Sequence, residues 1–288
     1  MSENAQSGIK SEHLAHGPLV WMARVGYAAR GIVFLIIGGF ALLAAGGLGA
    51  HPIGARDALE LLFQKPLGGY FMWTLATGLA CFGGWRFLQA VFDVDLHGGS
   101  LYGLMRRTVL AGSGAFYIAL AAATLRITVA HRRVSEDQSA REWTAWVMGQ
   151  PLGRVAIALI AAGFAGVALG LAVKAVRAPY RESLHATKEQ RVMAVALGSF
   201  GIMTRAFIFL MVGVFLSVAA YDSNSFEAVS LSGVLRAMQN QAYGGVLLGV
   251  AALGLLAFGF FEIIEAAARR AAAIKPDQPK PSQIADLP

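Results

Sequence analysis

Charged residues are scarce in this sequence. Asp, Glu, Lys and Arg together make up 14% of the 288 residues, whereas hydrophobic residues make up 56% and the mean hydropathy is +0.57. A soluble domain carries about 25% charged residues. The shortage of charge and the excess of apolar residues exclude a disordered chain and argue against a soluble globular enzyme. The composition is typical of a polytopic membrane protein.

Cysteine and the familiar catalytic motifs are also nearly absent. The single cysteine, Cys81, lies in an apolar run, which excludes an intramolecular disulfide and a cysteine-based metal site. The six histidines lie in tails or loops, and no HExxH motif, P-loop or GxSxG motif occurs. We therefore predict no catalytic, cofactor-binding or metal-binding residue and no cofactor, and we expect the protein not to be an enzyme.

The positive charge of the chain does not indicate a nucleic-acid partner. The net charge is +7 and the sequence pI is about 9.8, but the basic residues lie mainly between apolar stretches. No basic face carries interleaved aromatic residues. Lys and Arg in such positions orient membrane helices instead.

Long apolar runs are what the sequence has in abundance. Six of them can cross about 30 Å of hydrocarbon as helices, and no alternating pattern of a transmembrane β-barrel appears. No short apolar segment with a cleavage site follows the polar N-terminus, so the first run is predicted to be an uncleaved span. The predicted spans are 25–45, 69–92, 108–127, 153–176, 195–220 and 243–267.

Basic residues in the connections predict the orientation. Twelve lie on the side of the two termini and six on the other. The positive-inside rule therefore places both termini in the cytoplasm. The twelve are Lys10, Arg24, Arg106, Arg107, Arg177, Arg181, Lys188, Arg191, Arg269, Arg270, Lys275 and Lys280, and the six are Arg56, Lys65, Arg132, Arg133, Arg141 and Arg236.

The chain repeats itself three times. Residues 24–45 and 199–220 match at eight of 22 positions without a gap, including Arg30 with Arg205. The second span of each copy shares glycine and alanine positions at offsets of 85 and 176 residues. The middle copy departs in its first span, where Ser113 stands in the place of the arginine. Chance matching of small residues in apolar helices is the alternative explanation.

These repeats predict an all-α integral membrane fold of six transmembrane helices, arranged as three tandem hairpins. Two-span units share one orientation, which implies pseudo-threefold symmetry about the membrane normal. The predicted units are a cytoplasmic tail at 1–20, hairpins at 21–95, 102–178 and 194–270, and a disordered cytoplasmic tail at 271–288. Small residues permit close helix packing in lipid, and the predicted packing glycines are Gly26, Gly38, Gly78, Gly163, Gly201, Gly213 and Gly254.

Two motifs recur at the starts of the helices. They are Gly-x3-Arg-Gly (Gly26, Arg30, Gly31) and Pro-Leu-Gly (66–68 and 151–153). Together with the three repeats, they resemble the bacterial membrane family called domain of unknown function 1206 over residues 21–270. The third copy departs from the pattern, with Ala206 for the glycine and Ala-Tyr-Gly at 242–244. The resemblance implies an integral protein of the bacterial cytoplasmic membrane and supplies no activity or catalytic residue.

Each predicted outer loop carries a short amphipathic pattern. Such a helix lies in the membrane interface, either as a surface anchor or as a lid over a central cavity. The apolar positions are Leu59, Leu62 and Phe63 within 55–63, then Trp143, Trp146 and Val147, then Leu235 and Met238.

Charged residues within the spans are the best candidates for a functional site, because an ion in lipid is expensive. The repeat alignment places them at one depth, towards the cytoplasmic ends. We predict one cluster in which a repeat-equivalent arginine approaches a glutamate; snorkelling to the interface is the alternative. The candidates are Arg30, Arg86, Lys174, Arg205, Glu262 and Glu265.

Two functions are compatible with this pattern. The first is a non-enzymatic structural or regulatory role, including one in stress, exerted through helix packing and partners. The second is a small transporter, channel or lipid-binding protein that uses the charged cluster. The expected partners are the bilayer and an anionic lipid at the cytoplasmic side; the sequence names no protein partner.

Overall fold

The computed structural model describes residues 18–64, 68–92, 101–130, 136–177 and 188–272. They form nine α-helices and a short 3-10 helix, Ser225–Glu227, with no β-strand. The α-helices are α1 (Pro18–Ala45), α2 (Ala55–Phe63), α3 (Gly68–Phe92), α4 (Leu101–Ala130), α5 (Glu136–Met148), α6 (Gly153–Arg177), α7 (Lys188–Asp222), α8 (Leu231–Gln239) and α9 (Gly244–Ala272).

Five of the long helices, α1, α4, α6, α7 and α9, are apolar and long enough to cross a membrane. This indicates a multi-pass membrane protein. The sixth predicted span corresponds to α3, which is 25 residues long, or about 37 Å, but α3 is not among these apolar helices. The prediction of six apolar spans is therefore met by five.

Consecutive long helices pack against each other, with one exception. Helix α1 contacts α3, α3 contacts α4, α6 contacts α7, α7 contacts α9, and α9 returns to α1. The largest interfaces join the second helix of one repeat to the first helix of another, namely α9 with α1, α6 with α7 and α3 with α4. Within the described residues, α4 and α6 make at most marginal contact, although they belong to the same predicted hairpin.

Two inter-repeat interfaces use the same glycine contact. A Cβ on Gly31 of α1 would lie 2.8 Å from the Gly259 carbonyl oxygen of α9. A Cβ on Gly114 of α4 would lie 3.0 Å from the Gly83 carbonyl oxygen of α3. The two pairs occupy equivalent repeat positions, so the repeat in the sequence becomes a repeated helix–helix contact.

Repeat-equivalent arginines bind backbone carbonyls at these interfaces. Arg24 Nε donates a hydrogen bond of 3.0 Å to Ala266 O, and Arg107 Nε donates one of 2.6 Å to Ala90 O. The third copy has Ser199 in place of the arginine. The arginine–carbonyl contact therefore belongs to the first and second copies only.

The three short helices predicted in the connections are present as α2, α5 and α8. Each buries one side of its amphipathic pattern, with Leu59, Val147 and Leu235 in the core. Trp143 and Trp146 are exposed, which suits indole rings at headgroup depth.

A tight turn precedes two of the second helices. The Gly153 N–H donates to Gln150 O and the Gly244 N–H donates to Gln241 O, both at 2.9 Å. A Cβ on Gly153 would overlap Val147 O, and a Cβ on Gly244 would overlap Gln239 O, at the end of the preceding short helix. The third copy thus keeps the turn without proline or leucine, because glycine provides the space.

The predicted tails lie almost wholly outside the described residues. Helix α1 begins at Pro18, three residues earlier than the predicted first unit, and α9 continues to Ala272.

Candidate functional site

The six charged residues predicted within the spans belong to one electrostatic cluster, here called the charge cluster. The residues come from five helices: Arg30 from α1, Arg86 from α3, Lys174 from α6, Arg205 from α7, and Glu262 and Glu265 from α9. Each basic member interacts electrostatically with Glu262 or Glu265, or with another basic member. The residues therefore share one region of the bundle.

The centre of the charge cluster is a buried ion pair. Arg30 Nη1 lies 3.2 Å from Glu262 Oε2, and the two side chains are 5% and 4% exposed. The predicted approach of a repeat arginine to a glutamate is thus present. Pairing offsets the cost of placing either ion alone in a low-dielectric environment.

Helix direction explains why these two side chains meet. Arg30 lies nine residues into the apolar stretch Trp21–Ala45, about 13 Å from its N-terminal end. Glu262 lies five residues before the end of the apolar stretch Gly244–Ala267, about 8 Å from its C-terminal end. Side chains lean towards the N-terminus of their own helix. Because α1 and α9 are antiparallel, the two side chains lean towards each other.

Aromatic rings enclose the Arg30 guanidinium. Its Cζ lies 4.9 Å from the Phe258 centroid, 5.0 Å from Phe82, 5.5 Å from Tyr117 and 5.9 Å from Phe34. Ring faces attract a cation most strongly when water is excluded. The rings therefore leave the Arg30 guanidinium little room to turn away from Glu262.

Arg205 lies on an equivalent set of rings. Its Cζ is 4.5 Å from the Phe258 centroid, 5.1 Å from Phe209 and 5.3 Å from Phe34. No described carboxylate lies within ion-pair distance of Arg205. Arg205 therefore adds positive charge beside the Arg30–Glu262 pair.

Arg86 and Lys174 form the end of the charge cluster nearest to the helix termini. Arg86 Cζ lies 4.9 Å from the Phe82 centroid, and its Nη1 donates to Gln89 Oε1 at 3.3 Å. Lys174 is exposed, three residues before the end of α6. Buried N–H groups remain open to an acceptor here, because Nε of Arg30 and Nε of Arg86 have no hydrogen-bond partner among the described residues.

The charges of the charge cluster do not balance. Four basic side chains face two carboxylates, which leaves an excess of positive charge. Buried donors without acceptors are rare in folded proteins, and guanidinium groups match the oxygens of a phosphate. Among the described residues no group of His, Cys, Asp and Glu could hold a metal ion.

Three segments of the chain, 25–93, 108–178 and 200–269, match the family described as Domain of Unknown Function (DUF1206). The chain belongs to this family. The segments lie within the three predicted repeats, so the family resemblance read from the motifs is confirmed.

One relative is similar to this chain over most of the length of both proteins. The uncharacterized protein YxxB of Bacillus subtilis (strain 168) is 31% identical over 248 residues, which cover 84% of this chain and 88% of that protein. No solved structure matches the chain.

Six of the seven predicted packing glycines of this DUF1206 protein lie against another helix. At each of them an added Cβ would come within 3.1 Å of a neighbouring helix. Gly163 differs: it is exposed, and a Cβ there would meet nothing within 4 Å. The six packed positions are Gly26, Gly38, Gly78, Gly201, Gly213 and Gly254. Gly163 lacks a partner helix because α4 and α6 are apart.

Sequence reasoning missed a polar contact between the two connections that contain α5 and α8. Asp137 of α5 is buried, and its Oδ1 accepts a hydrogen bond of 2.9 Å from the Ser230 N–H at the start of α8. The hydroxyls of Ser230 and Ser232 also donate to Oδ1, and Arg236 forms an ion pair with Oδ2. A carboxylate at a helix N-terminus is stabilised by the helix dipole. No sequence signal singles out Asp137 among the charged residues of its loop.

The surroundings of Asp137 favour its ionised form. Burial by itself raises the pKa of the carboxyl, but the hydrogen bonds from Ser230 and the charge of Arg236 outweigh it, so the pKa of Asp137 lies below its ordinary value. A carboxyl with a lowered pKa contributes stability above its unfolded pKa, about 3.9, and loses it as the pH falls through the lower folded pKa.

Asp137→Asn is expected to destabilise the protein by about 1–3 kcal/mol at neutral pH, because serine donors and the Arg236 charge lose their acceptor. The difference from the wild type should persist down to about pH 4 and shrink below it. Thermal unfolding of the purified protein between pH 7 and pH 3 measures this. A difference that stays constant through pH 3 would show that the Asp137 charge is not responsible.

Proposed function

We propose that this DUF1206 protein is a non-enzymatic, multi-pass protein of the bacterial cytoplasmic membrane that binds an anionic lipid headgroup at its charge cluster. The role is structural or regulatory, with the bound lipid setting how the repeats pack. In this proposal α3 is the sixth span and both termini are cytoplasmic, so the charge cluster lies in the cytoplasmic half of the membrane. Labelling of a cysteine at exposed Tyr243 from outside the cell checks this orientation.

The excess of positive charge in the charge cluster carries this proposal. Glu262 is already paired with Arg30, whereas Arg205 has rings as its neighbours and Lys174 is exposed. An anionic phosphate would supply the missing negative charge and accept hydrogen bonds from the guanidinium groups. A neutral lipid headgroup would bring no net charge.

The depths of the basic residues suit a headgroup. Lys174 lies three residues before Arg177, the last residue of α6, and Arg86 lies six residues before the end of α3. These separations correspond to about 5 and 9 Å along the helix axes. A long Lys side chain reaches the interface, so Lys174 can contact a phosphate there. The same phosphate can then also contact Arg86.

Lys174→Gln is expected to weaken the binding of phosphatidylglycerol about tenfold or more, because one charge-assisted contact to the phosphate is lost. Native mass spectrometry of the protein titrated with phosphatidylglycerol or phosphatidylcholine gives the affinities. Arg154→Gln is the matched control, since Arg154 is an exposed basic residue at the other end of α6. Equal affinities for the two lipids in the wild type would refute the proposed function.

A further inference from the structure

In the first and third hairpins, the two helices pack against each other at equivalent residues, a glycine and a phenylalanine. A Cβ on Gly26 would lie 2.6 Å from Phe82 Cβ, and a Cβ on Gly201 would lie 2.7 Å from Phe258 Cβ. Gly26 and Gly201 are repeat-equivalent, and so are the two phenylalanines. In each hairpin, a glycine on the first helix lets the phenylalanine of the second helix approach the backbone.

The repeat-equivalent arginines, Arg30 and Arg205, contact the same two phenylalanines. Arg30 Cζ lies 5.0 Å from the Phe82 centroid within the first hairpin, and Arg205 Cζ lies 4.5 Å from the Phe258 centroid within the third. Each contact ties the first helix of a hairpin to its second helix and directs a guanidinium into the charge cluster.

The middle hairpin lacks all three of these residues. Its equivalent positions hold Val109 for the glycine, Ser113 for the arginine and Val167 for the phenylalanine. In the described chain, α4 and α6 accordingly make at most marginal contact. A Cβ on Gly112 or Gly163 would meet nothing within 4 Å.

Gly112 and Gly163 mark the faces that border this opening. Their counterparts in the first hairpin are Ala29 and Gly78, where a Cβ on the glycine would lie 2.6 Å from Ala29 Cβ. The positions that contact each other in the first hairpin, Ala29 and Gly78, are thus separated in the middle hairpin, where they are Gly112 and Gly163. Lys174, on α6, is exposed and interacts electrostatically with Arg86 and Glu262.

We infer that the opening between α4 and α6 is the lateral path by which an anionic lipid reaches the charge cluster. The acyl chains lie between the two helices, and the phosphate lies at Lys174 and Arg86. This inference rests on the proposed function and adds the side from which the ligand arrives.

Charge decides between a lipid and a second copy of the chain as the occupant. Neither α4 nor α6 contains an acidic residue, so a second copy facing the opening with the same helices would add only positive charge. An anionic lipid brings the negative charge that the cluster lacks, and the buried Nε of Arg30 has no hydrogen-bond acceptor among the described residues.

The test is to fill the opening while leaving every charge in place. The variant Gly112→Leu/Gly163→Leu places bulk on both faces and meets no neighbour at the Cβ position. The control is Gly39→Leu/Gly69→Leu, at two other positions where a Cβ would meet nothing within 4 Å. Both are titrated with phosphatidylglycerol and phosphatidylcholine by native mass spectrometry, and thermal unfolding confirms that they are folded.

We expect the filled variant to bind phosphatidylglycerol at least tenfold more weakly than the wild type, with the control unchanged. A wild type that prefers phosphatidylglycerol and a filled variant that binds it equally well would overturn this inference and leave the proposed function standing. A wild type without lipid preference would overturn both. Conversion of a wild-type dimer to a monomer by the filled variant would assign the opening to a second copy and also overturn the inference.

A second variant tests the lateral path in protein that is already folded when the opening is filled. Gly163→Cys in a Cys81→Ala background is purified, and a bulky maleimide is then attached. Loss of phosphatidylglycerol binding on labelling supports the lateral path, and unchanged binding of the labelled protein contradicts it.

Discussion

Gly254→Ala is expected to be severely destabilising, whereas Gly163→Ala, at the equivalent repeat position, is expected to have almost no effect. A Cβ on Gly254 would overlap Thr204 Oγ1 and Cβ on α7. Thr204 is buried, and its hydroxyl donates to Phe200 O at 3.0 Å, so it has little freedom to move. Overpacking of this kind costs about 1–3 kcal/mol or more.

Thermal unfolding in one detergent measures both glycine variants. Thr204→Ala combined with Gly254→Ala should recover part of the loss, because the first hairpin places Ala29 at this position. Equal melting temperatures for Gly254→Ala and Gly163→Ala would show that α7 and α9 do not pack as described. A large loss for Gly163→Ala would show that α4 and α6 close on each other.

Glu262→Gln is expected to cost about 3–5 kcal/mol of stability, because it leaves the buried Arg30 guanidinium without its counter-ion. The double variant Arg30→Gln/Glu262→Gln should be more stable than Glu262→Gln alone, since the unpaired charge is then gone. A double-mutant cycle by thermal unfolding measures the coupling. Glu142→Gln, at an exposed carboxylate, is the matched control.

Additive effects in that cycle would contradict the ion pair. They would instead support the interpretation that the long side chains extend independently to the interface.

Much of the charge cluster could be predicted from the amino-acid sequence. Arg30 and Arg205 recur at one repeat position, and Glu262 lies at the position of Arg86 in the third copy. Equivalent positions in tandem hairpins have equal depth, so opposite charges at one depth are expected to meet. The partner of each arginine could not be predicted, because it depends on which helices are neighbours.

The Pro-Leu-Gly motif accounts for the tight turns only in part. Pro-Leu-Gly predicted the start of the second helix, yet the third copy makes the same turn with Ala242, Tyr243 and Gly244. The glycine is the requirement, since a Cβ on Gly244 would overlap Gln239 O at the end of α8.

Asp137 shows what sequence reasoning could not reach. The groups that donate hydrogen bonds to its carboxylate lie 93 to 99 residues further along the chain, in a different repeat. Nothing local distinguishes Asp137 from its neighbours, because the contact exists only when α5 and α8 are placed side by side.

The helical class, the long apolar helices, the short connecting helices and the candidate charged residues could be predicted from the amino-acid sequence, because these follow from composition, periodicity and repeat position. Tertiary structure alone decided that Arg30 pairs with Glu262 and that α4 and α6 stand apart. The physical reason is packing: Gly163 matches Gly78 and Gly254 in sequence, but a glycine makes a close contact only where the facing helix comes near.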